Sequence, residues 1–70
     1  MLIPKAAEIF MRRMRQGLSS KELAIKSGLP NNAIWRIESG KTKTTHPLRA
    51  REIAKALNCE VEDIFETNGG

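Results

Sequence analysis

The chain has 70 residues, carries 12 Lys and Arg against 8 Asp and Glu, and has a formal net charge of +4 and a pI near 9.7. A chain this short buries only about 60% of the surface that it exposes when unfolded, which leaves too little interior for a cofactor-sized cavity beside a complete core. We therefore expect one domain over residues 1–66, a flexible tail over residues 67–70, and no enzymatic activity, cofactor or small-molecule ligand.

Proline and glycine divide the first part of the chain into segments of helical length. The first segment, roughly 4–16, opens on a proline suited to a first helical turn and repeats apolar residues at helical spacing. The second begins at Ser19 with a capping box, in which the Ser19 side chain accepts a hydrogen bond and Glu22 reaches back, and it ends at Gly28. The third covers about 31–39 and ends at Gly40.

Two further segments complete the predicted fold. One covers about 47–57 and ends at Asn58, which tolerates the left-handed backbone that follows many helices. A shorter one covers about 61–65. No segment alternates apolar and polar residues with the period of two that marks a half-buried strand. The sequence therefore predicts an all-α fold of five helices.

The net charge is unevenly distributed along the chain. Residues 1–51 contain 11 basic and 3 acidic side chains, net +8, whereas residues 52–70 contain 1 basic and 5 acidic side chains, net −4. A basic surface of this kind favours a polyanionic partner. Nucleic acid is the first candidate, an anionic membrane surface is the second, and a merely solvated basic surface is the third.

Short apolar runs and a single cysteine indicate a cytoplasmic protein. The longest unbroken apolar run has three residues, which is too short for a membrane span or a signal peptide. Cys59 is the only cysteine, which excludes an intrachain disulfide and agrees with a reducing compartment. Its one soft companion is His46, so we expect no metal site, and Cys59 is expected to fill a small core position between the fourth and fifth helices.

Only about three residues separate the second and third segments, which predicts a sharp turn between two short helices, the helix-turn-helix plan. Such a unit needs a small residue where the helices touch and a residue free to adopt positive φ in the turn. It also needs branched apolar residues that anchor the second helix. These requirements are met by Ala24, Gly28, Ile34 and Ile37.

A family resemblance rests on these residues. The segments Leu18–Gly28 and Ala33–Gly40 resemble the Cro/repressor helix-turn-helix family, also called lambda-type or XRE-type. Two flanking segments, Ile53–Leu57 and Val61–Phe65, extend the resemblance to about residues 5–65. It implies a five-helix, lambda-repressor-like domain that binds double-stranded DNA and regulates transcription, as a repressor, with its third helix in the major groove.

Rotating the third helix by about 100° per residue separates its side chains into two arcs. The core arc holds Ala33, Ile34 and Ile37, and the opposite arc displays the candidate base contacts Asn31, Asn32, Trp35 and Arg36. Asparagine pairs bidentately with adenine and arginine with guanine, and each good pair discriminates by roughly 1–3 kcal/mol. The recognition helix of the family is similar.

Three of these candidates have an alternative role. Asn31 could cap its own helix, particularly because the preceding proline has no hydroxyl to do so. Arg36 could hold a phosphate instead of a base. Trp35 could contact a thymine methyl or a sugar edge, or it could pack on second-helix side chains such as Ile25. Large aromatic side chains usually bury most of their area, which favours packing.

Phosphate contacts should flank the base contacts, because they fix the register of a protein on the duplex. At the start of the second helix, where free amides favour an anion, the candidates are Ser19, Ser20 and Lys21. The run after the third helix looks like the backbone-gripping loop of phage repressors, and its candidates are Lys41, Thr42 and Lys43, with Thr44 and Thr45 as an extension. Each of these residues alone is compatible with an ordinary solvated loop, but their clustering beside the third helix favours contacts with DNA phosphates.

The resemblance also implies an ion pair between Arg13 on the first helix and Glu38 at the end of the third. Such a pair would hold the recognition helix at a fixed angle, and Arg13 could offer an N–H to a phosphate. The alternative is two unrelated surface charges.

One recognition helix reads only a few base pairs, so useful specificity needs two domains on half-sites about 34 Å apart. We therefore expect a pseudo-palindromic operator and a weak homodimer through the C-terminal helices, near Leu57, Val61, Ile64 and Phe65. An alternative function is an antitoxin or regulatory subunit that acts mainly through protein–protein contact. A basic membrane-surface module is a weaker alternative, because the first helix has no Trp or Tyr at an interface.

Overall fold

Five helices form where the sequence repeats apolar residues at helical spacing, as predicted. The structure is a computed structural model and describes residues 1–67. In chain order its elements are β1 (Leu2–Pro4), α1 (Ala6–Arg15), α2 (Ser20–Lys26), α3 (Ala33–Glu38), α4 (Pro47–Ala56), α5 (Val61–Ile64) and β2 (Phe65–Thr67). The domain is therefore mostly helical, with two short strands that the sequence did not predict.

The two strands join the ends of the described chain. β1 pairs antiparallel with β2, with Leu2 opposite Thr67 and Pro4 opposite Phe65. On its other side, Leu2 exchanges two backbone hydrogen bonds with Thr45, at 2.8 and 2.7 Å between nitrogen and oxygen. Phe65 therefore belongs to a strand instead of the fifth helix, and Thr67 belongs to the domain instead of the predicted tail. The remainder of that tail, 68–70, lies outside the described residues.

Each of the five helices contributes one large, completely buried side chain to a single core. These side chains are Ile9, Leu23, Ile34, Ile53 and Ile64. Burial of a large aliphatic side chain stabilises a fold by about 1.5–3 kcal/mol. The core therefore links all five helices, and Cys59 packs at its edge as the sequence predicted.

The C-terminal dimer surface predicted from the sequence loses most of its apolar residues to this core. Leu57 and Phe65 are 3% exposed and Ile64 is fully buried. Only Val61, of the four side chains expected at that surface, is partly exposed. The physical reason is that Leu57, Ile64 and Phe65 pack in the same core as the side chains of α1 to α4.

The turn between α2 and α3 is closed by Gly28, whose φ of +71° places it in the left-handed region. The amide of Gly28 donates to the carbonyl of Ile25, and the next amide, that of Leu29, donates to the carbonyl of Ala24 at 2.8 Å. This arrangement is a Schellman motif, for which glycine is the favoured residue. The predicted helix-turn-helix junction is confirmed.

Candidate nucleic-acid interface

The outward face of α3 and the turn before it display four polar or aromatic side chains. Ala33, Ile34 and Ile37 are at most 8% exposed and anchor α3 in the core. The candidate base contacts are all exposed on the opposite face: Asn31, Asn32, Trp35 and Arg36. The division into two arcs is therefore confirmed for the residues that are helical, whereas Asn31 and Asn32 are exposed in the turn before α3.

Helix α3 begins at Ala33, two residues later than the sequence predicted. Asn31 and Asn32 lie in a turn, closed by a hydrogen bond of 2.9 Å from the Ala33 amide to the Pro30 carbonyl. Asn32 occupies the N-cap position, and its side chain makes no capping hydrogen bond. The capping role considered for Asn31 is therefore not realised, and the amide groups of both asparagines are available to an external partner.

Trp35 is the largest exposed group on this face. Trp35 is 51% exposed. Ile25, on which the indole was expected to pack, is itself 59% exposed. The Lys41 ammonium nitrogen lies 5.8 Å from the centroid of the Trp35 ring, close enough for a cation–π interaction. The structure therefore does not support the burial expected for Trp35: half of the residue is exposed, and a lysine from the following loop lies beside its ring.

The N-terminus of α2 carries the predicted capping box. The Glu22 amide donates to Ser19 Oγ at 3.0 Å, and the Ser19 amide donates to Glu22 Oε1 at 2.7 Å. The hydrogen bond from the Ser19 amide, followed by the effect of the Ser19 side chain, lowers the pKa of the Glu22 carboxyl. Beside the box, Ser20 is half-buried and Lys21 is exposed. The predicted phosphate contacts of α2 thus lie at a well-ordered helix start.

The loop after α3 is tied to the end of that helix. The amides of Lys41 and Thr42 both donate to the Arg36 carbonyl, at 2.9 and 3.0 Å. Lys43 is exposed and Thr42 is half-buried, which leaves them accessible. Thr45 is 4% exposed and its backbone pairs with β1, so the extension of the phosphate surface to Thr45 is wrong.

His46, the N-cap residue of α4, and Arg49, in its first turn, line the same surface and were not among the sequence-predicted contacts. A cleft of about 460 Å³ lies between α3, the following loop and the start of α4, and its walls include Arg36, His46 and Arg49. His46 caps α4, because its Nδ1 accepts a hydrogen bond of 3.1 Å from the Leu48 amide. The signal in the sequence is a proline at the helix start followed two residues later by a basic residue, which places Arg49 in the first turn of α4.

Arg13 and Glu38 form the predicted ion pair, with two parallel hydrogen bonds. Arg13 Nε donates to Glu38 Oε2 at 2.8 Å, and Nη2 donates to Oε1 at 2.9 Å. Nη1 also donates to the Leu18 carbonyl at 2.8 Å. The hydrogen bond with Glu38 raises the pKa of Arg13. Because Arg13 is only 8% exposed, its position gives no support to the predicted phosphate contact, and its role is to fix α3 to α1.

Comparison with known proteins identifies the fold. A family model described as helix-turn-helix matches residues 9–64, most of the chain. The chain belongs to the XRE-type helix-turn-helix family. Its structure is similar to the crystal structure of the restriction-modification controller protein C.AhdI from Aeromonas hydrophila, with a TM-score of 0.76 and 26% sequence identity over 83% of this chain and 86% of that one. No curated protein matches the sequence.

The chain is thus a DNA-binding regulator of the XRE helix-turn-helix type. The residues that the helix-turn-helix needs hold the positions expected of them. Ala24 is fully buried on α2, Ile34 and Ile37 are buried on α3, and Gly28 adopts positive φ between the two helices. A larger side chain at Ala24 would separate the helices, because close-packed interiors do not absorb added volume.

The described part of this helix-turn-helix protein shows neither a metal site nor a membrane span. Over residues 1–67, no three His, Cys, Asp or Glu side chains are grouped so that they could hold a metal ion. Within the same residues, no helix has the length and apolar character to cross a membrane.

Burial raises the pKa of the Cys59 thiol, which keeps it in the unreactive protonated form at neutral pH.

Proposed function

We propose that this protein is a sequence-specific transcriptional repressor that reads the major groove with the segment 31–39. One observation supports this most directly: the exposed face of α3 carries two amides, an indole and a guanidinium, and none of them is needed by the core. Amide and guanidinium groups are the donors that distinguish adenine and guanine edges in the major groove. Asn31, Asn32, Trp35 and Arg36 are the proposed base contacts.

Phosphate contacts are proposed on both sides of this face. On one side are Ser19, Ser20 and Lys21 at the start of α2, and on the other are Lys41, Thr42, Lys43 and Arg49. These groups supply the affinity that does not depend on sequence, through the release of counterions from DNA. The acidic residues after position 51 lie in other elements, in α4, α5, β2 and the loop between the two helices.

Two copies are proposed to bind one operator. A single α3 covers too few base pairs for useful discrimination, whereas two domains on half-sites about 34 Å apart read a pseudo-palindrome. The similarity to a controller protein supports a regulatory role in transcription. Repression then follows where the operator overlaps a promoter, because the bound dimer excludes the polymerase.

The test is selection of duplexes from a random pool, followed by gel shifts at several salt concentrations. We expect an enriched site with approximate two-fold symmetry. Arg36→Ala should bind the selected site more weakly and also lose discrimination at one position of each half-site, by a factor corresponding to roughly 1–3 kcal/mol. Failure to enrich any site, or unchanged discrimination in Arg36→Ala, contradicts sequence-specific reading by α3.

Lys43→Ala separates the phosphate contacts from the base contacts. It should weaken binding to all duplexes alike and reduce the slope of log affinity against log salt by about one. Lys55→Ala is the matched control, because Lys55 is also exposed but lies in the last turn of α4, away from the cleft. If the two substitutions weaken DNA binding equally, the affinity depends on net charge and not on a contact made by Lys43. Repression itself is measured with a reporter whose promoter contains the selected site.

A further inference from the structure

Strand β1 contacts the loop that follows α3 as well as β2. Leu2 exchanges two backbone hydrogen bonds with Thr45, at 2.8 and 2.7 Å between nitrogen and oxygen. Thr45 is 4% exposed, whereas the two residues before it, Lys43 and Thr44, are exposed. The buried end of this loop is therefore held by a strand that is distant in the sequence.

The 41–45 loop is fixed near its two ends. At its start, the amides of Lys41 and Thr42 donate to the Arg36 carbonyl, and at its end Thr45 pairs with Leu2. Within residues 1–67, neither Lys43 nor Thr44 forms a backbone–backbone hydrogen bond. The position of Lys43 therefore depends on the attachment of the loop on both sides of it.

Strand β1 can hold the loop because β1 is itself attached to the core. It pairs with β2, in which Phe65 is 3% exposed. The Lys5 amide, directly after β1, donates to the carbonyl of the fully buried Ile64 at 2.8 Å. The Leu2 side chain also packs against the core. The loop is thus connected through β1 to the most buried part of the domain.

Leu2 is the residue of β1 that makes this connection. Successive residues of a strand direct their backbone groups to opposite sides, so Ile3 faces Glu66 of β2. Pro4 faces the side of the loop again, but proline has no amide to donate. A single residue of β1 therefore carries the backbone contact with the loop.

We propose that Leu2 is a positioning residue for the DNA phosphate contacts, because its backbone holds the 41–45 loop where Thr42 and Lys43 meet the duplex read by Arg36. This inference rests on the proposed function, which assigns phosphate contacts to the loop. Met1 lines the cleft together with Arg36, so β1 begins beside the candidate interface. A loop that is ordered before binding loses less conformational freedom when it meets DNA, which favours affinity.

The experiment compares two substitutions of Leu2 in the full chain. Leu2→Pro removes the amide that donates to the Thr45 carbonyl. Leu2→Ala is the matched control, because it keeps that amide and removes more of the side chain than proline does. Far-UV circular dichroism and urea denaturation establish the folded fraction of each variant.

The order of the loop is measured without DNA. Limited trypsin digestion with mass spectrometry reports cleavage after Lys41 and Lys43, and cleavage after Lys26 at the end of α2 is the internal reference. Loop cleavage in Leu2→Pro should be about tenfold faster than in Leu2→Ala, the factor that corresponds to releasing roughly one ordered residue. Equal cleavage rates in the two variants overturn the proposal.

Hydrogen exchange of the unaltered chain gives a second measurement that needs no variant. The Thr45 amide should exchange with solvent deuterium more slowly than the amide of Thr44, because only the Thr45 amide donates to Leu2. A Thr45 amide that exchanges as fast as that of Thr44 shows that β1 does not hold the loop, and it overturns the proposal.

DNA binding is measured on an unselected duplex, so the result does not depend on an operator. Leu2→Pro should bind about tenfold more weakly than Leu2→Ala. It should also reduce the slope of log affinity against log salt by about one, as expected when Lys43 no longer meets a phosphate. A variant that is only less stable contains fewer folded molecules but keeps this slope. Lys43→Ala should weaken binding in the Leu2→Ala chain and have little effect in the Leu2→Pro chain.

A loop that opens in Leu2→Pro while affinity and salt slope stay equal to those of Leu2→Ala overturns the positioning role. Failure to select an operator would contradict sequence-specific reading by α3. The cleavage, exchange and salt measurements would still decide whether Leu2 positions the loop, because none of them uses a selected site.

Discussion

The pair formed by Arg13 and Glu38 determines how firmly α3 is held, and its removal has a calculable cost. The residues lie 25 positions apart and are joined by two hydrogen bonds of 2.8 and 2.9 Å, with side-chain exposures of 10% and 12%. Glu38→Ala leaves the Arg13 guanidinium in place, still bound to the Leu18 carbonyl but without its counter-charge. The perturbation is therefore an unpaired charge in a nearly buried position.

The expected destabilisation is large for a domain of this size. Removal of one partner from a buried ion pair costs about 3–5 kcal/mol, because the other charge remains without compensation. A domain of 70 residues has a total free energy of unfolding of roughly 4–10 kcal/mol. Glu38→Ala should therefore remove a large part of the free energy of unfolding of the domain. Replacing both residues, Arg13→Met with Glu38→Leu, should recover most of the loss, since no charge is then left unpaired.

Urea denaturation measures these free energies. Trp35 is the only tryptophan and lies on α3, so its fluorescence reports the helix that the ion pair holds, while circular dichroism reports all helices. A double-mutant cycle separates the coupling from the individual costs. A loss of less than about 1 kcal/mol for Glu38→Ala would show that the pair behaves as a solvated surface pair, and the argument from burial would be refuted.

Three further predictions concern single residues. Replacing thymine by uracil at the position read by Trp35 should weaken binding about threefold to fivefold, since a buried methyl contributes about 0.8 kcal/mol. In gel shifts, Trp35→Ala should bind the thymine and uracil duplexes equally. If Trp35→Ala still prefers thymine to the same extent, the contact is excluded. Gly28→Ala should lower the free energy of unfolding by about 1–2 kcal/mol in urea titrations, through the backbone alone, because a Cβ there would meet no atom within 4 Å; an exposed-site control such as Lys26→Ala should change little. The lowered pKa of Glu22 means that its contribution is complete above the ordinary glutamate pKa and is lost as pH falls through the lowered value. Glu22→Gln, which keeps the capping-box geometry without the charge, should flatten the acid side of the stability profile. An unchanged profile would contradict a contribution of the Glu22 carboxylate.

Local features of the sequence were sufficient for the helix-turn-helix itself. The capping box at Ser19, the positive φ of Gly28 and that of Asn58 depend on neighbouring residues, and all three are present in the structure. The buried arc of α3 followed equally well from helical periodicity, because a helix that packs on a core must place its apolar residues on one side. The same argument placed the candidate base contacts Trp35 and Arg36 on the opposite, exposed arc.

Other features depend on residues that are distant in the chain. The β1–β2 pairing joins Leu2 to Thr67, and strands of three residues are too short to show an alternating pattern. Trp35 was expected to pack on α2, but its neighbour is Lys41, brought back by the turn after α3. Arg49 escaped notice because a basic residue on an exposed helix side shows its proximity to Arg36 only when α3 and α4 are assembled.

The +4 charge and the short length of this chain were sufficient to predict a small basic domain that acts through its surface. Local sequence patterns were sufficient to predict which helix carries the candidate base contacts. The tertiary structure alone decided which side chains are free to act. It buried Leu57, Ile64 and Phe65 in the core, placed Arg49 on the same cleft as Arg36, and left the Phe10 side of α1 exposed. The reason is physical: periodicity shows that a residue is apolar and on a given face, whereas burial depends on which other faces the chain brings against it.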